Sequence, residues 1–231
     1  MTEKGCWEQL ETVIGYSDRI LLYGVAGTGK TYQANRFGLK KGQGTYNITL
    51  TADSTATELM GHYIATSDGG FRWKDGNGTR AFKEGSRLVI NEIDHAGPDV
   101  SSVLHAILDD ADIARLTLPN KKKETVQPSQ GFSVIATMNG TPDMLPEALA
   151  DRFGVKINID SVHPDAIATL PEEYRTVYSE RDGTDIPASI RAWKEFSKLV
   201  SAGVDLRSSA TVCFGNDYAE DVVDAIELQD V

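Results

Sequence analysis

Gly24-Val25-Ala26-Gly27-Thr28-Gly29-Lys30-Thr31 is the stretch of this sequence best equipped for chemistry. It has the spacing G-x-x-x-x-G-K-[ST]. Its glycines let the backbone fold tightly and aim successive N–H groups at one anion. Lys30 adds a point charge suited to the outer phosphates of a nucleotide, and the Thr31 hydroxyl can ligate Mg²⁺. A Gly-rich turn that happens to precede a lysine is the plainer alternative, and the flanks argue against it. Arg19-Ile20-Leu21-Leu22-Tyr23 is an apolar, strand-like run, and Tyr32-Gln33-Ala34-Asn35-Arg36-Phe37 can start a helix. The amino end of that helix would add its dipole to the cradle, so Gly24 through Tyr32 are all expected at the nucleotide.

Hydrolysis of a bound nucleotide needs a held metal, an aimed water and a group that stabilises the developing charge. Leu88-Val89-Ile90-Asn91-Glu92 is an apolar run that ends on an acid, so Glu92 is the natural group to polarise the water. Asn139 closes the similar run Ser133-Val134-Ile135-Ala136-Thr137-Met138 and is placed to hold that water or the γ-phosphate. Arg152 is a candidate arginine finger. Its plainer reading is a surface ion pair with Asp151 or Glu147.

Strand-like runs that alternate with helical ones must position these groups. A helix is expected from Trp7 to Tyr16, a strand over 44–51, and a helix over 54–60 capped by Asp53 or Ser54. Residues 61–78 read as a β-hairpin around Gly69-Gly70. Its Tyr63, Phe71 and Trp73 either pack on the domain or form an exposed grip. A short helix over 80–85, an amphipathic helix after Pro98, a second hairpin at 114–127 with Lys121-Lys122-Lys123 at its tip, a short helix over 145–153 and a strand over 155–159 follow. The expected fold is α/β, a parallel sheet between helical layers, with ligands at the carboxyl ends of its strands. After Pro164 the pattern turns helical, with segments near 165–180, 187–202 and 216–228. Residues 1–162 are therefore expected to form the nucleotide-binding domain and 163–231 a small all-helical one.

The whole composition narrows the function classes. The 231 residues carry a formal net charge of −11, which disfavours nonspecific binding to nucleic acid or to an anionic membrane over the surface at large. Cys6 and Cys213 lie far apart in no metal-ligand spacing, as thiols in a reducing compartment would. No apolar signal segment opens the chain and no run reaches transmembrane length, so the cytoplasm is the expected location.

The order of motifs resembles an AAA+ ATPase of the MoxR class. Leu145-Pro146-Glu147-Ala148-Leu149-Ala150-Asp151-Arg152-Phe153 is close to that class's L-P-E-A-L-x-D-R-F, and Pro187 through Asp221 resembles the helical lid of its CbbQ/NorQ subgroup. The resemblance implies a P-loop NTPase αβα domain with a lid. Lys30 and Thr31 would be Walker A, Asn91 and Glu92 Walker B, Asn139 sensor one and Arg191 sensor two. Arg152 would be the finger acting on a neighbour's ATP, the hairpin at 61–78 the helix-two insertion that faces the ring pore, and the hairpin at 114–127 the pre-sensor-one insertion. ATP and Mg²⁺ would sit between subunits of a ring, usually a hexamer. Such a chaperone-like machine works on a protein client, often one with a von Willebrand factor A domain. One departure stands out: Asn91 occupies the position of the family's aspartate, with Thr31 and Asn91 left to serve the metal. An amide oxygen accepts a hydrogen bond but carries no charge. Slow hydrolysis is therefore implied. A nucleotide-gated scaffold and the motor subunit of a metal chelatase are the alternatives.

Overall fold

The structure, a computed structural model, describes residues 5–180 and 189–228. They form two compact units: the residues up to Gly24 together with Lys30–Ile159, and Val25–Gly29 together with the residues from Asp160 onward. In chain order the first unit runs α1 (Cys6–Val13), β1 (Arg19–Tyr23), α2 (Lys30–Ala34), β2 (Thr45–Thr49), α3 (Ala56–Met60), β3 (Gly61–Ala65), β4 (Phe71–Asp75), α4 (Asn77–Glu84), β5 (Arg87–Asn91), α5 (Pro98–Leu108), β6 (Leu116–Thr117), β7 (Thr125–Val126), β8 (Ser133–Thr137), α6 (Glu147–Ala150) and β9 (Val155–Asn158).

Five strands pair in parallel in the order β2-β5-β8-β1-β9. Continuous apolar runs such as Leu88-Val89-Ile90 suit strands covered on both faces. Alternate residues divide accordingly. Leu21, Leu88, Ile90, Val134 and Ala136 join a core with α3, α4 and α5. Ile20, Leu22, Val89, Ile135 and Ile157 join another with Trp7 and Leu10 of α1. The expected layered α/β architecture is thereby realised.

Local chemistry moves some boundaries. Regular helix after the glycine loop lasts only from Lys30 to Ala34. Asn35 Nδ2 donates to Thr31 O at 2.8 Å, side-chain bonding that competes with helix propagation. So short a helix has a weaker dipole than the sequence suggested. Thr55, rather than Asp53 or Ser54, caps α3: Glu58 accepts from its N–H at 3.1 Å, while Ser54 Oγ accepts from the Thr51 N–H.

β3 and β4 pair antiparallel with Tyr63 opposite Trp73, the rings 5.3 Å apart edge to face. The alternatives for the aromatics divide: Trp73 packs on the core, whereas Phe71 is 70% exposed. β6 and β7 form the second hairpin, with Lys121, Lys122 and Lys123 exposed. The Tyr63 hydroxyl accepts from the Lys121 N–H at 2.5 Å, and Lys83 bridges Asp75 and Glu124 at 3.0 and 3.3 Å, so the hairpins brace each other.

In the second unit lie α7 (Pro164–Ile167), α8 (Glu172–Glu180), α9 (Ile190–Ser201), α10 (Leu206–Phe214) and α11 (Asn216–Glu227). Trp193 is fully buried among Tyr174, Tyr178, Phe196 and Phe214, with ring centroids 5.1 to 6.5 Å away. The expected helix over 165–180 is broken before Pro171, which has no N–H and disfavours helix at Leu170. Pro187 and Ala188 lie outside the described residues; α9 starts at Ile190 behind Ser189, whose side chain accepts from the Ala192 N–H. α10 escaped the sequence reading because its buried face is Ser209, Ala210 and Phe214, not an aliphatic stripe. Among the described residues no helix is long and apolar enough to cross a membrane.

Candidate functional site

Strands β5, β8 and β1 are neighbours, with Asn91 opposite Thr137 and Thr137 opposite Leu22. Their carboxyl ends therefore lie level. Adjacent strands are about 4.8 Å apart, so the segments leaving β5 and β1 start within roughly 10 Å of each other. Gly24 also bridges to Gly140, which anchors the exposed Asn139 beside the start of the glycine loop.

The loop's conformation depends on glycine. Gly24 has φ +115°, and a β-carbon there would meet Asn158 Oδ1 at 2.5 Å and Ile159 O at 2.8 Å. Gly29 has φ +97°, which L side chains rarely adopt. Lys30 is only 6% exposed, and its Nζ donates to Gly24 O at 3.0 Å. Burial lowers the pKa of this ammonium, since it has lost much of its hydration. A phosphate would restore what burial removes. Thr31 and Tyr32 are exposed, and the Arg36 guanidinium lies 4.5 Å from the centre of the Tyr32 ring.

Within the second unit, Val25, Ala26 and Gly27 are exposed, while Thr28 is buried and donates to Val25 O at 3.1 Å. A β-carbon on Gly27 would lie 3.4 Å from Ser189 Oγ, at the cap of α9. Arg191 is exposed in the first turn of that helix.

Glu92 leaves β5 in the left-handed region, φ 55° and ψ 49°. That conformation costs a non-glycine residue about 1 kcal/mol or more and concentrates at functional sites. Its side chain is 45% exposed, with Oε2 3.4 Å from His95 Nδ1. His95 Nε2 lies 3.6 Å from Asp94 Oδ2, and Asp94 Oδ1 is buried without a hydrogen-bond partner among the described residues. Asn91 is buried and engaged across the sheet: Nδ2 is 3.4 Å from Ile48 O and from Thr49 Oγ1, and Oδ1 accepts from Thr137 Oγ1 at 3.3 Å.

Arg152 belongs to the other end of the sheet. Val155, three residues on, pairs with Ile20, whereas the glycine loop follows Tyr23, paired with Asn158. A strand length, roughly 15 Å, separates Arg152 from its own chain's Lys30. The ion pair with Asp151 or Glu147, the plainer alternative for Arg152, does not form. Arg152 Nε instead donates to Asp109 Oδ1 at 2.9 Å and His105 O at 3.2 Å, and Nη1 to Ala148 O at 2.6 Å. The end of α5 offers Arg152 a carboxylate and the His105 carbonyl together, and α6 adds the Ala148 carbonyl.

Beside it, Arg19 is 8% exposed and donates through Nη2 to Ile107 O and Asp109 O at 3.3 and 3.2 Å. Burial lowers its pKa, against the opposing pull of Asp18, Asp110 and Asp109. A cleft of about 330 Å³ opens here, lined by Tyr16, Asp18, Arg19, Asp110 and Arg152 among others. Neither Arg19 nor Asp109 stands out in the sequence as a candidate site residue. The available signal was the acidic run Asp109-Asp110 just past a helix, with an arginine heading an apolar strand.

The model of the AAA domain (dynein-related subfamily) matches residues 19–153. Protein NorQ of Paracoccus denitrificans is 33% identical over 121 residues, 52% of this chain and 43% of NorQ, so the match takes in less than half of that relative. The denitrification regulatory protein NirQ of Pseudomonas aeruginosa is 31% identical over 237 residues, covering 92% of this chain and 87% of NirQ. Among solved structures, NtrX from Brucella abortus in complex with ADP superposes with a TM-score of 0.60 at 14% identity, over 87% of this chain and 50% of NtrX, a likeness of fold.

Proposed function

From the premise that this chain belongs to the AAA domain family, in its MoxR class with NorQ and NirQ, we propose that it binds ATP with Mg²⁺ and hydrolyses it between subunits of a ring to drive a protein partner.

 The work done by turnover is the remodelling or activation of that partner, and a von Willebrand factor A domain is the partner class to which the resemblance points. One observation carries the reading: a buried ammonium, Lys30, beside a loop whose Gly24 and Gly29 hold positive φ, with Glu92 and Asn139 following the two neighbouring strands.

The roles follow from what each group can do. The Gly24–Gly29 backbone and Lys30 hold the phosphates, with Val25, Ala26, Thr28 and Tyr32 around them. The Thr31 hydroxyl suits Mg²⁺, which keeps several waters and takes few protein ligands. Asn91 Oδ1 retains a second lone pair for a metal-bound water, although it brings no charge. When bound, the metal neutralises charge on the phosphate oxygens. Glu92 accepts a proton from the attacking water, Asn139 orients it, and Arg191 takes the sensor-two role that the resemblance implies. Arg152, a strand length away from its own Lys30, serves the nucleotide of an adjoining copy. That separation supports a ring.

A scaffold that binds ATP with little turnover is the second reading, favoured by the uncharged Asn91 and its ties to Ile48, Thr49 and Thr137. ATP-binding and steady-state ATPase measurements on wild type, Lys30→Ala and Glu92→Gln separate the two. The machine reading expects Lys30→Ala to lose binding and Glu92→Gln to bind but turn over roughly 10²-fold or more slower. A wild type as inert as Glu92→Gln leaves only the scaffold, and ATP affinity retained in Lys30→Ala refutes both. The partner is sought by co-purification with Glu92→Gln in ATP.

A further inference from the structure

We propose that Asp109 is a positioning residue for Arg152: it fixes the guanidinium so that one nitrogen, Nη2, is left to meet the nucleotide of an adjoining copy of this chain. The inference rests on the reading of Arg152 as a group that acts in trans. Two of the three guanidinium nitrogens are already committed. Nε donates to Asp109 Oδ1 and His105 O, and Nη1 donates to Ala148 O. Among the described residues nothing accepts from Nη2. A planar fork held at two nitrogens has both its position and its plane set, which a charge on a flexible stem does not.

The holders are themselves held. Asp109 is the residue that ends α5, and its own carbonyl accepts from Arg19 Nη2 at 3.2 Å. Arg19 is buried, with its guanidinium 4.9 Å from the centre of the Phe132 ring. The Asp109 backbone is thus pinned from the core while its carboxylate reaches outward to Arg152. Ala148 adds a carbonyl from α6, so the guanidinium is clamped between two helix ends whose free carbonyls favour a cation. Arg152 remains 29% exposed on its side chain and lines the cleft beside Arg19.

The test uses the full chain with Asp109→Ala and Asp109→Asn, read as kcat and KM for ATP beside Arg152→Ala. The expected result is a kcat lowered roughly tenfold to a hundredfold in Asp109→Ala, by less in Asp109→Asn, with KM within about twofold of wild type, as for a misplaced catalytic group. Mixing with Lys30→Ala subunits then separates positioning from fold. Such subunits have no working site but donate an undisturbed Arg152, so they restore turnover at the intact sites of Asp109→Ala neighbours. Wild-type kcat in both Asp109 variants while Arg152→Ala is impaired overturns the inference alone. So does an impaired Asp109 variant that Lys30→Ala subunits do not rescue while they do rescue Arg152→Ala. Failure to rescue Arg152→Ala itself overturns the reading in trans, and the inference with it. Should Asp109→Ala not fold, the isosteric Asp109→Asn carries the same comparison.

Discussion

Asn91→Asp puts back the carboxylate of the family's pattern, and the structure predicts a cost. Asn91 is 8% exposed, with Nδ2 at 3.4 Å from both Ile48 O and Thr49 Oγ1. Aspartate keeps the contact with Thr137, and the Thr49 hydroxyl can rotate to donate. The Ile48 carbonyl cannot. Losing that long N–H contact costs about 0.5 kcal/mol, and a buried carboxylate facing a carbonyl oxygen costs about 1–3 kcal/mol. The sum, about 1.5–3.5 kcal/mol, lowers Tm by roughly 3–14 °C for a chain of this size. Burial beside a carbonyl raises the folded pKa of the new carboxyl above its unfolded value of about 3.9. The penalty is therefore absent below that unfolded value and grows as pH rises through the folded one. Mg²⁺ with a nonhydrolysable ATP analogue supplies the missing positive charge, so the deficit shrinks in its presence and ATP turnover rises above wild type. Thermal melts at acid and neutral pH, with and without Mg²⁺ and analogue, measure this directly. Equal Tm values at neutral pH without metal refute the account of Asn91 as a satisfied sheet residue. A deficit indifferent to Mg²⁺ and nucleotide refutes its place beside the metal.

Lys30→Met tests the buried ammonium. Its lowered pKa means that the charged form destabilises the fold at neutral pH, a penalty relieved as pH rises through the folded value; the methionine variant is expected to gain about 0.5–2 kcal/mol without nucleotide and to lose the rise in Tm that ATP produces, both read by thermal melts. Gly24→Ala is expected to cost more than Gly29→Ala, because its methyl would meet Asn158 Oδ1 at 2.5 Å, whereas nothing lies within 4 Å of a methyl at Gly29. Overpacking adds about 1–3 kcal/mol to the strain of positive φ that both share, so equal urea midpoints would contradict the close approach. Trp193→Ala removes the centre of the aromatic cluster in the second unit and is expected to cost about 3–5 kcal/mol in urea denaturation.

What was legible in the sequence was what local spacing encodes. The cradle is eight consecutive residues, and Glu92 and Asn139 each follow an apolar run, so the strand ends that carry them could be found without knowing which strands touch. Even there, local detail depended on competition between neighbours: Asn35 shortened α2, and Thr55 took the cap that Asp53 and Ser54 also offered. α10 shows the converse. Its cap was readable, because Asp205 accepts from the Ser208 N–H at 2.9 Å, but a face of Ser209, Ala210 and Phe214 has no hydrophobic period to detect.

The contacts that decide how the site works are those between residues far apart in the chain. The sequence places Asn91 at the end of an apolar run, and only the fold shows Thr49 and Thr137 on either side of it, 42 and 46 residues away. Arg152 has Asp151 and Glu147 as its nearest acidic neighbours in sequence, yet its ion pair is with Asp109, 43 residues away, because folding brings the end of α5 against it. Strand order also fixes the most consequential relation in the molecule. β1 and β9 run the same way, so a residue that leads into β9 and a loop that leaves β1 must lie at opposite ends of the sheet. No rotamer of Arg152 spans that length, since an arginine side chain reaches about half of it. An Arg152 that contributes to ATP turnover therefore does so at another chain's Lys30, and a dilution that separates the chains should silence it as completely as its replacement by alanine.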